Sequence, residues 1–371
     1  MKYLFINSCA GWGSKGRIVE ETCRELMAQG HECRIAYGRY LSGCQGIETL
    51  RISSELDNKV NVLLNRVFDD QGFGTRGPTK KFLRWVTEYD PDVIWLHNIH
   101  GYYLHVGLLF DYLRTCGKEI LWTLHDCWTL TGHCAYFDHV GCEKWKTLCH
   151  DCPEKGEYPQ SWLADNSRRN YIRKKAAFTG IPNLRLITPS QWLADRVKAG
   201  ILREYPVEVR YNQADPSVFK PTPSDFRQRH GLENRILLLG VANVWDARKG
   251  LQDFVDLAPM LEDRCRIVLV GLSEKQIGQM PDSILALPRT KYVQELVEIY
   301  SAADVYINTS VDETFGMTVL EASLCGTPSI VYAGTACQEV TDLYGGMAVP
   351  RGPQRAGAPV LWGRPCRRTG L

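Results

Sequence analysis

Short apolar runs alternate with stretches of helical periodicity along most of this chain. The first run, Tyr3–Asn7, leads into the glycine-bearing "SCAGWGSKG". "RIVEETCRELMAQG" then places its apolar residues on one face of a helix and stops at Gly30, and "ECRIAYG" resumes as a strand. Val93–Leu96, Ile120–Leu124 and Leu184–Thr188 continue the series. This rhythm of strand, loop and helix predicts an α/β fold built on a parallel, doubly wound sheet.

Around "YNQADPSVFKPTPSDF" the pattern lapses into Asn, Asp, Pro and Ser, the composition of a linker. A second series follows at Ile236–Val241, Ile267–Val270, Val305–Asn308 and Ser329–Val331. The expectation is therefore two Rossmann-like domains, 1–212 and 213–350, with a cysteine-rich insertion near 127–153 in the first. Two such sheets would face a central cleft, because ligands of this architecture bind at the carboxyl ends of the strands. Residues 351–371 are rich in Gly, Pro and Arg and show neither period, so an irregular tail is expected there.

Composition narrows the function. A length of 371 residues suits two domains, and a net charge of +2 gives no argument for nucleic acid. No run approaches the ~20 apolar residues needed to cross a bilayer, and the opening run is too short for a signal-peptide core. The reading is a cytoplasmic protein whose fourteen cysteines are mostly reduced.

Three stretches carry candidate chemistry. In "DETFGMTVLEASLCGTPSI", Glu313 and Glu321 flank a strand-to-helix turn, with Gly316 positioned to bring backbone close to a ligand. The unpaired N–H groups of the following helix would attract phosphate or a polarised hydroxyl, and carboxylates beside them would accept hydrogen bonds from a sugar. In "VANVWDARKGLQDF", Arg248 and Lys249 follow a strand and open a helix, a place where cations neutralise a diphosphate. In "GWGSKG", Gly11, Gly13 and Gly16 match the dinucleotide spacing, but the next strand ends without an acidic partner. Gly13 therefore reads as a close backbone approach to substrate and not as an NAD site. Each stretch also has a plainer reading, as a solvated helix face or loop.

Together with "PDVIWLHNIHGYYL", "WTLHDCWTLTGHCAYF" and "TPSQWLADRV", these strings resemble glycosyltransferase family 4 over Met1 to about Gly352. Within it the chain looks most like bacterial exopolysaccharide enzymes of the colanic-acid type. The resemblance implies the GT-B fold and retaining, metal-independent sugar transfer that needs no cofactor for its chemistry. It implies a UDP- or GDP-sugar donor and a saccharide or polyprenyl-diphosphate-linked acceptor. Carried over by position, Glu313 would meet the donor hexose, Glu321 the ribose, and Lys249 the diphosphate. Phe315, Gly316 and Met317 would lie along the donor, and His125 would contact the sugar beside the breaking bond. Asn243 stands where many members carry an arginine, a charge that Arg248 would replace. Members also continue past a "GGMAVPRG"-like strand with further helices, so the chain reads as C-terminally truncated. A sugar-nucleotide 2-epimerase and a binding-only protein are the alternatives.

Two further expectations concern the first domain. Cys134, Cys142, Cys149 and Cys152 are spaced for a structural Cys₄ zinc site, with His133 or His150 as substitutes. "NSRRNYIRKKAAF" joins five cations to Tyr171 and Phe178 on one helical stretch, which would suit a peripheral contact with a membrane.

Overall fold

The computed structural model describes residues 1–352; most of the expected tail, 353–371, lies outside the described residues. The chain divides into two units, Met1–Asn212 and the part from Gln213 onward.

The first unit holds a seven-stranded parallel sheet of β1 (Lys2–Ala10), β2 (Glu32–Leu41), β3 (Glu48–Arg51), β4 (Val93–Leu96), β5 (Glu119–Thr123), β6 (Leu184–Thr188) and β7 (Val207–Val209). Their order is β3-β2-β1-β4-β5-β6-β7. The helices are α1 (Gly13–Ala28), α2 (Glu55–Phe68), α3 (Arg76–Tyr89), α4 (Val106–Leu113), α5 (Ser167–Phe178) and α6 (Gln191–Ala199). Strand order reverses at β1, where Tyr3 pairs with Cys33 on one side and Val93 on the other. Loops leaving β1 and β4 therefore diverge and open a crevice at their carboxyl ends. β4 is buried on both faces and reads as a continuous apolar run for that reason. Phe5, Val19, Ile35, Trp95 and Ile187 share one core, with Cys23 and Cys33 filling it as small apolar side chains.

The second unit repeats the plan with β8 (Ile236–Val241), β9 (Cys265–Val270), β10 (Ile284–Leu287), β11 (Val305–Asn308), β12 (Ser329–Tyr332) and β13 (Gly346–Val349), in the order β10-β9-β8-β11-β12-β13. Its helices are α7 (Phe226–Arg229), α8 (Leu251–Leu257), α9 (Glu274–Ile277), α10 (Val293–Ala302), α11 (Met317–Leu324) and α12 (Ala336–Tyr344). Successive residues of β9 face opposite layers: Val268 and Val270 join Tyr300, Tyr306 and Val319, whereas Ile267 and Leu269 join Trp245 and Phe254. Helices thus cover both faces of the sheet.

The cysteine-rich insertion packs as an aromatic loop. Trp128, Phe137 and Trp145 are buried, and the last two stack at 4.8 Å. Lys174 of α5 reaches in beneath it and donates to the carbonyls of Trp128 (2.7 Å) and Thr131 (3.0 Å). His133 is held by Asp69 at 2.5 Å, and His150 pairs with Asp151 at the surface. Cys134, Cys142, Cys149 and Cys152 line one small cavity, and Cys134 shares a hydrogen bond with Cys152. Yet among the described residues no group of three or more His, Cys, Asp or Glu side chains is disposed to hold a metal ion. The zinc expectation is therefore not supported: ring packing and the Lys174 bonds hold this loop, and the four thiols are neighbours on one cavity.

The α5 expectation changes too. Tyr171, Lys174 and Phe178 turn inward, Arg173 pairs with Asp70, and only Arg168, Arg169 and Lys175 of the cations project into solvent. A basic face is present there without its aromatic partners.

Candidate active site

In the second unit, two loops meet beyond β8 and β11, the neighbours at which its strand order reverses. The first loop is pinned by Trp245, buried, whose indole donates to the Val270 carbonyl at 3.0 Å. The Asp246 carboxylate accepts from the Lys249 backbone N–H at 3.0 Å and closes a tight turn. Gly250 then takes the left-handed conformation, φ 68°, against Thr309; a Cβ there would lie 2.6 Å from the threonine Oγ1. Thr309 Oγ1 in turn donates to the Lys249 carbonyl at 2.8 Å. The lysine is thereby fixed to the end of β11.

The second loop carries the two glutamates. Lys249 Nζ donates to Glu313 Oε1, both side chains largely withdrawn from water. Arg248 turns to the same loop and donates to the Asp312 carbonyl at 2.9 Å. Loss of solvent, with the Arg248 charge beside it, pulls the Lys249 pKa down to about 8. The Phe315 ring is buried in the core, so any contact with a ligand would pass through its backbone. Gly316 follows at φ 101°, with Cys337 Sγ only 2.8 Å from where its Cβ would sit. Any other residue would be strained in both conformation and space. Gly316 begins α11 with no side-chain cap, and Met317 is its first residue. Glu321 lies one turn on, its Oε2 accepting from the buried Tyr300 hydroxyl at 3.0 Å.

The first unit has its own polar centre beyond β1, β4 and β5. Gly13 starts α1 at φ 69°, also without a side-chain cap and with no acidic residue in the first turn. From that turn Lys15 Nζ reaches Asp126 Oδ2 at 2.9 Å. His100 Nε2 meets the same oxygen at 2.9 Å, and His100 Nδ1 meets the Tyr158 hydroxyl at 2.9 Å. Although burial opposes its charge, the Asp126 carboxyl is held well below the usual range by His100 and Lys15. His125 Nε2 lies 2.9 Å from His97 Nδ1, with the rings stacked. Burial pulls the His97 pKa down to about 3 and that of His125 well below its ordinary value, so both imidazoles are neutral near pH 7.

The sequence points to His125, but not to Lys15, His97, His100 or Tyr158. "WLHNIH" and "TLHD" do end adjacent strands, a signal for the histidines. Nothing local announces Tyr158, which is 58 residues from its histidine.

A family model described as Glycosyltransferase Family 4 matches residues 16–218, more than half of the chain, and one described as Glycosyl transferases group 1 matches residues 233–358. The chain belongs to glycosyltransferase family 4. This family 4 transferase is 24% identical over 369 residues to the putative colanic acid biosynthesis glycosyl transferase WcaC of Escherichia coli K12, covering 94% of this chain and 87% of that one. It is 28% identical over 116 residues to the N,N'-diacetylbacillosaminyl-diphospho-undecaprenol alpha-1,3-N-acetylgalactosaminyltransferase of Campylobacter jejuni, 30% of each chain. Its fold is similar to sucrose-phosphate synthase of Thermosynechococcus elongatus (TM-score 0.66, 16% identity, 96% of this chain and 87% of that one). It is also similar to Anabaena HepE, solved with UDP-glucose (TM-score 0.61, 17% identity, 94% and 86%). These neighbours make the fold GT-B, two parallel-sheet α/β units.

Proposed function

We propose that this transferase moves a sugar from a UDP- or GDP-sugar to a saccharide or polyprenyl-diphosphate-linked acceptor in exopolysaccharide synthesis, with retention and without a metal. The observation that carries the donor half is Lys249 on Glu313 beside the uncapped start of α11. A lysine, a helix N-terminus and a glycine-tight turn together favour a diphosphate, while Glu313 and Glu321 favour hydroxyl donors. Support for a nucleotide sugar comes from the fold's likeness to a protein solved with UDP-glucose, and for a lipid-linked acceptor from the partial likeness to an undecaprenol-linked transferase.

In this reading Lys249 and the amides of Gly316 and Met317 hold the diphosphate, with Arg248 bracing the loop that carries Glu313. Glu321, held by Tyr300, takes the ribose hydroxyls; Glu313 takes a hydroxyl of the sugar. Phe315 contributes through its backbone. In the first unit, Gly13 gives its backbone to the substrate side, and neutral His125, oriented by His97, donates to a hydroxyl of the transferred sugar. The bond from the anomeric carbon to the phosphate oxygen breaks as the acceptor oxygen bonds to the same face. The departing phosphate oxygen takes the acceptor's proton, and fixed cations and amides stabilise the charge that develops on it. Catalysis would take place in the cytoplasm, with the protein peripheral to the inner face of the membrane; among the described residues no helix is long and apolar enough to cross one.

The paired imidazoles and the Asp126–His100 contact also suit a 2-epimerase, which needs acids and bases in place of an acceptor. One assay separates the two. Incubated with a nucleotide sugar alone, a transferase leaves it unchanged until acceptor is added; conversion without acceptor would overturn the proposal. Before that, a thermal-shift screen of UDP- and GDP-sugars identifies the donor, since a ligand that binds only the folded chain raises its melting point.

A further inference from the structure

Helix α2 is amphipathic in the reverse sense. The side it turns to the protein carries three asparagines. Asn58 is bonded to Ser53 and to the Gly38 carbonyl, and Asn61 accepts from the Thr75 N–H. Asn65 donates to the carbonyls of Pro159 and Gln160. The opposite side carries Leu56, Val60, Leu63, Leu64 and Phe68, which are 43–71% exposed. Their spacing of three, four and seven residues makes one continuous apolar stripe. Exposed apolar residues scattered singly need no explanation, but a whole helical stripe turned to water does.

The stripe is extended and edged by other features. The segment after Pro159 runs along the end of α2, with the Trp162 N–H on the Arg66 carbonyl at 2.6 Å and the Ala164 N–H on the Val67 carbonyl at 3.2 Å. This places Trp162 and Leu163, 53% and 71% exposed, beside the stripe. The Arg66 guanidinium lies over the Trp162 ring at 4.7 Å. Grooves border the helix on both sides, one containing Arg51 and Lys81, the other Arg39 and Arg66. Of the carboxylates nearby, Glu55 is paired with Lys59, Asp57 accepts from the N–H and hydroxyl of Ser54, the N-cap of α2, and Asp165 accepts from the Cys152 N–H and the Ser167 hydroxyl. Glu157, in the second groove, is outnumbered by Arg39 and Arg66. An apolar helical face with a tryptophan at its margin and cations along its flanks has the make-up of a helix lying in a bilayer interface.

We infer that α2, with Trp162 and Leu163, is the surface by which this protein lies on an anionic phospholipid bilayer. A second copy of the chain is a poorer occupant: a two-fold contact sets a patch against itself, so cationic margins would face each other. An anionic surface satisfies the stripe and its cations together. The Arg39 and Arg66 groove also contains Tyr158, whose hydroxyl meets His100 at 2.9 Å. The groove beside the bilayer contact is therefore separated from the polar centre of the same unit by one side chain, Tyr158, which suits an acceptor carried on a lipid. The inference deepens the peripheral-membrane part of the proposed function and replaces α5 by α2 as its surface; it does not depend on the sugar chemistry.

The test is co-sedimentation of the full chain with vesicles of phosphatidylethanolamine and phosphatidylglycerol, and with phosphatidylcholine alone. The chain should bind the anionic vesicles and bind phosphatidylcholine weakly. Leu63→Ser with Leu64→Ser should lower binding about tenfold or more, at an unchanged melting temperature because both positions are exposed. Arg168→Glu with Arg169→Glu, on α5, should have a much smaller effect. Absence of vesicle binding, equal binding by the Leu63 and Leu64 variant, or a lipid-free dimer that this variant dissolves would each overturn the inference. Thermal shift by UDP or GDP, run on the same samples, keeps the readings apart. Donor binding without vesicle binding removes only the membrane surface, and vesicle binding without donor binding removes only the sugar-transfer reading.

Discussion

The Lys249 ammonium rests on the Glu313 carboxylate, across the two loops that leave β8 and β11. Before any ligand arrives, then, the cation assigned to the diphosphate is already neutralised by the anion assigned to the sugar. Lys249→Ala should weaken nucleotide-sugar binding by about 1.5–3 kcal/mol, the range for a hydrogen bond to a charged group. Because burial and the neighbouring Arg248 charge pull the lysine pKa down to about 8, and only its protonated form attracts a diphosphate, donor affinity should fall as pH rises through that value. Lys249→Arg should flatten the profile, since arginine stays charged. Calorimetry across the range checks both; a wild-type affinity that does not change above pH 8 would remove Lys249 from the diphosphate.

Glu313→Gln separates the partners of this pair. Removing the carboxylate charge frees the lysine, so a nucleoside diphosphate should bind as well as before or more tightly. Transfer should nonetheless drop about 100-fold if the carboxylate acts on the sugar as proposed, where charge develops in the transition state. A parallel fall in diphosphate affinity and turnover would place Glu313 on the nucleotide instead.

Glu321 answers to a different partner. Tyr300 is fully buried, and its hydroxyl is spent on the Glu321 Oε2. Glu321→Ala should cost about 1.5–3 kcal/mol of donor affinity through the ribose, while Tyr300→Phe, which only loosens the carboxylate, should cost about 1 kcal/mol or less. Deoxygenated nucleotides sharpen the test: a 2′-deoxy and 3′-deoxy donor should lose affinity in the wild type and little more in the variant. Additive losses would mean that the ribose is held elsewhere.

What the sequence disclosed follows from how local each signal is. Val93–Leu96 and Val305–Asn308 are apolar runs buried in parallel sheets, and the strands form over those same residues. β3 and β7, of four and three half-exposed residues, have no comparable signal. Glu313, Gly316 and Glu321 lie within nine residues, so one turn and one helix show their relation directly. Lys15 and Asp126 are 111 residues apart and meet only because β1 and β5 flank β4. Cysteine spacing carried a different kind of signal: closeness along the chain brings four thiols to one cavity, while among the described residues no group of three or more ligating side chains is disposed to hold a metal ion. Charge patterning misled at α5, where Lys174 reads as a surface cation but is buried.

That buried lysine supplies the last prediction. Its ammonium lies 3.4 Å from the Trp128 ring centre and donates to two carbonyls of the insertion loop, yet burial pulls its pKa from 10.5 down to about 7. Between those values the unfolded chain holds a proton that the folded chain has released, so stability should rise with pH across this window; below it, the full cost of burying the charge is present. Lys174→Met removes the cost of the charge but leaves the Trp128 and Thr131 carbonyls without their donor. At about pH 9 the variant should be less stable by about 1–3 kcal/mol, the cost of an unmet buried polar group. Toward pH 7 the wild type loses stability that the variant keeps, and the gap should narrow. Urea unfolding at the two pH values measures it. A gap that widens toward neutral pH would mean the lysine is charged in the fold, held by the ring and the two carbonyls more strongly than burial opposes it.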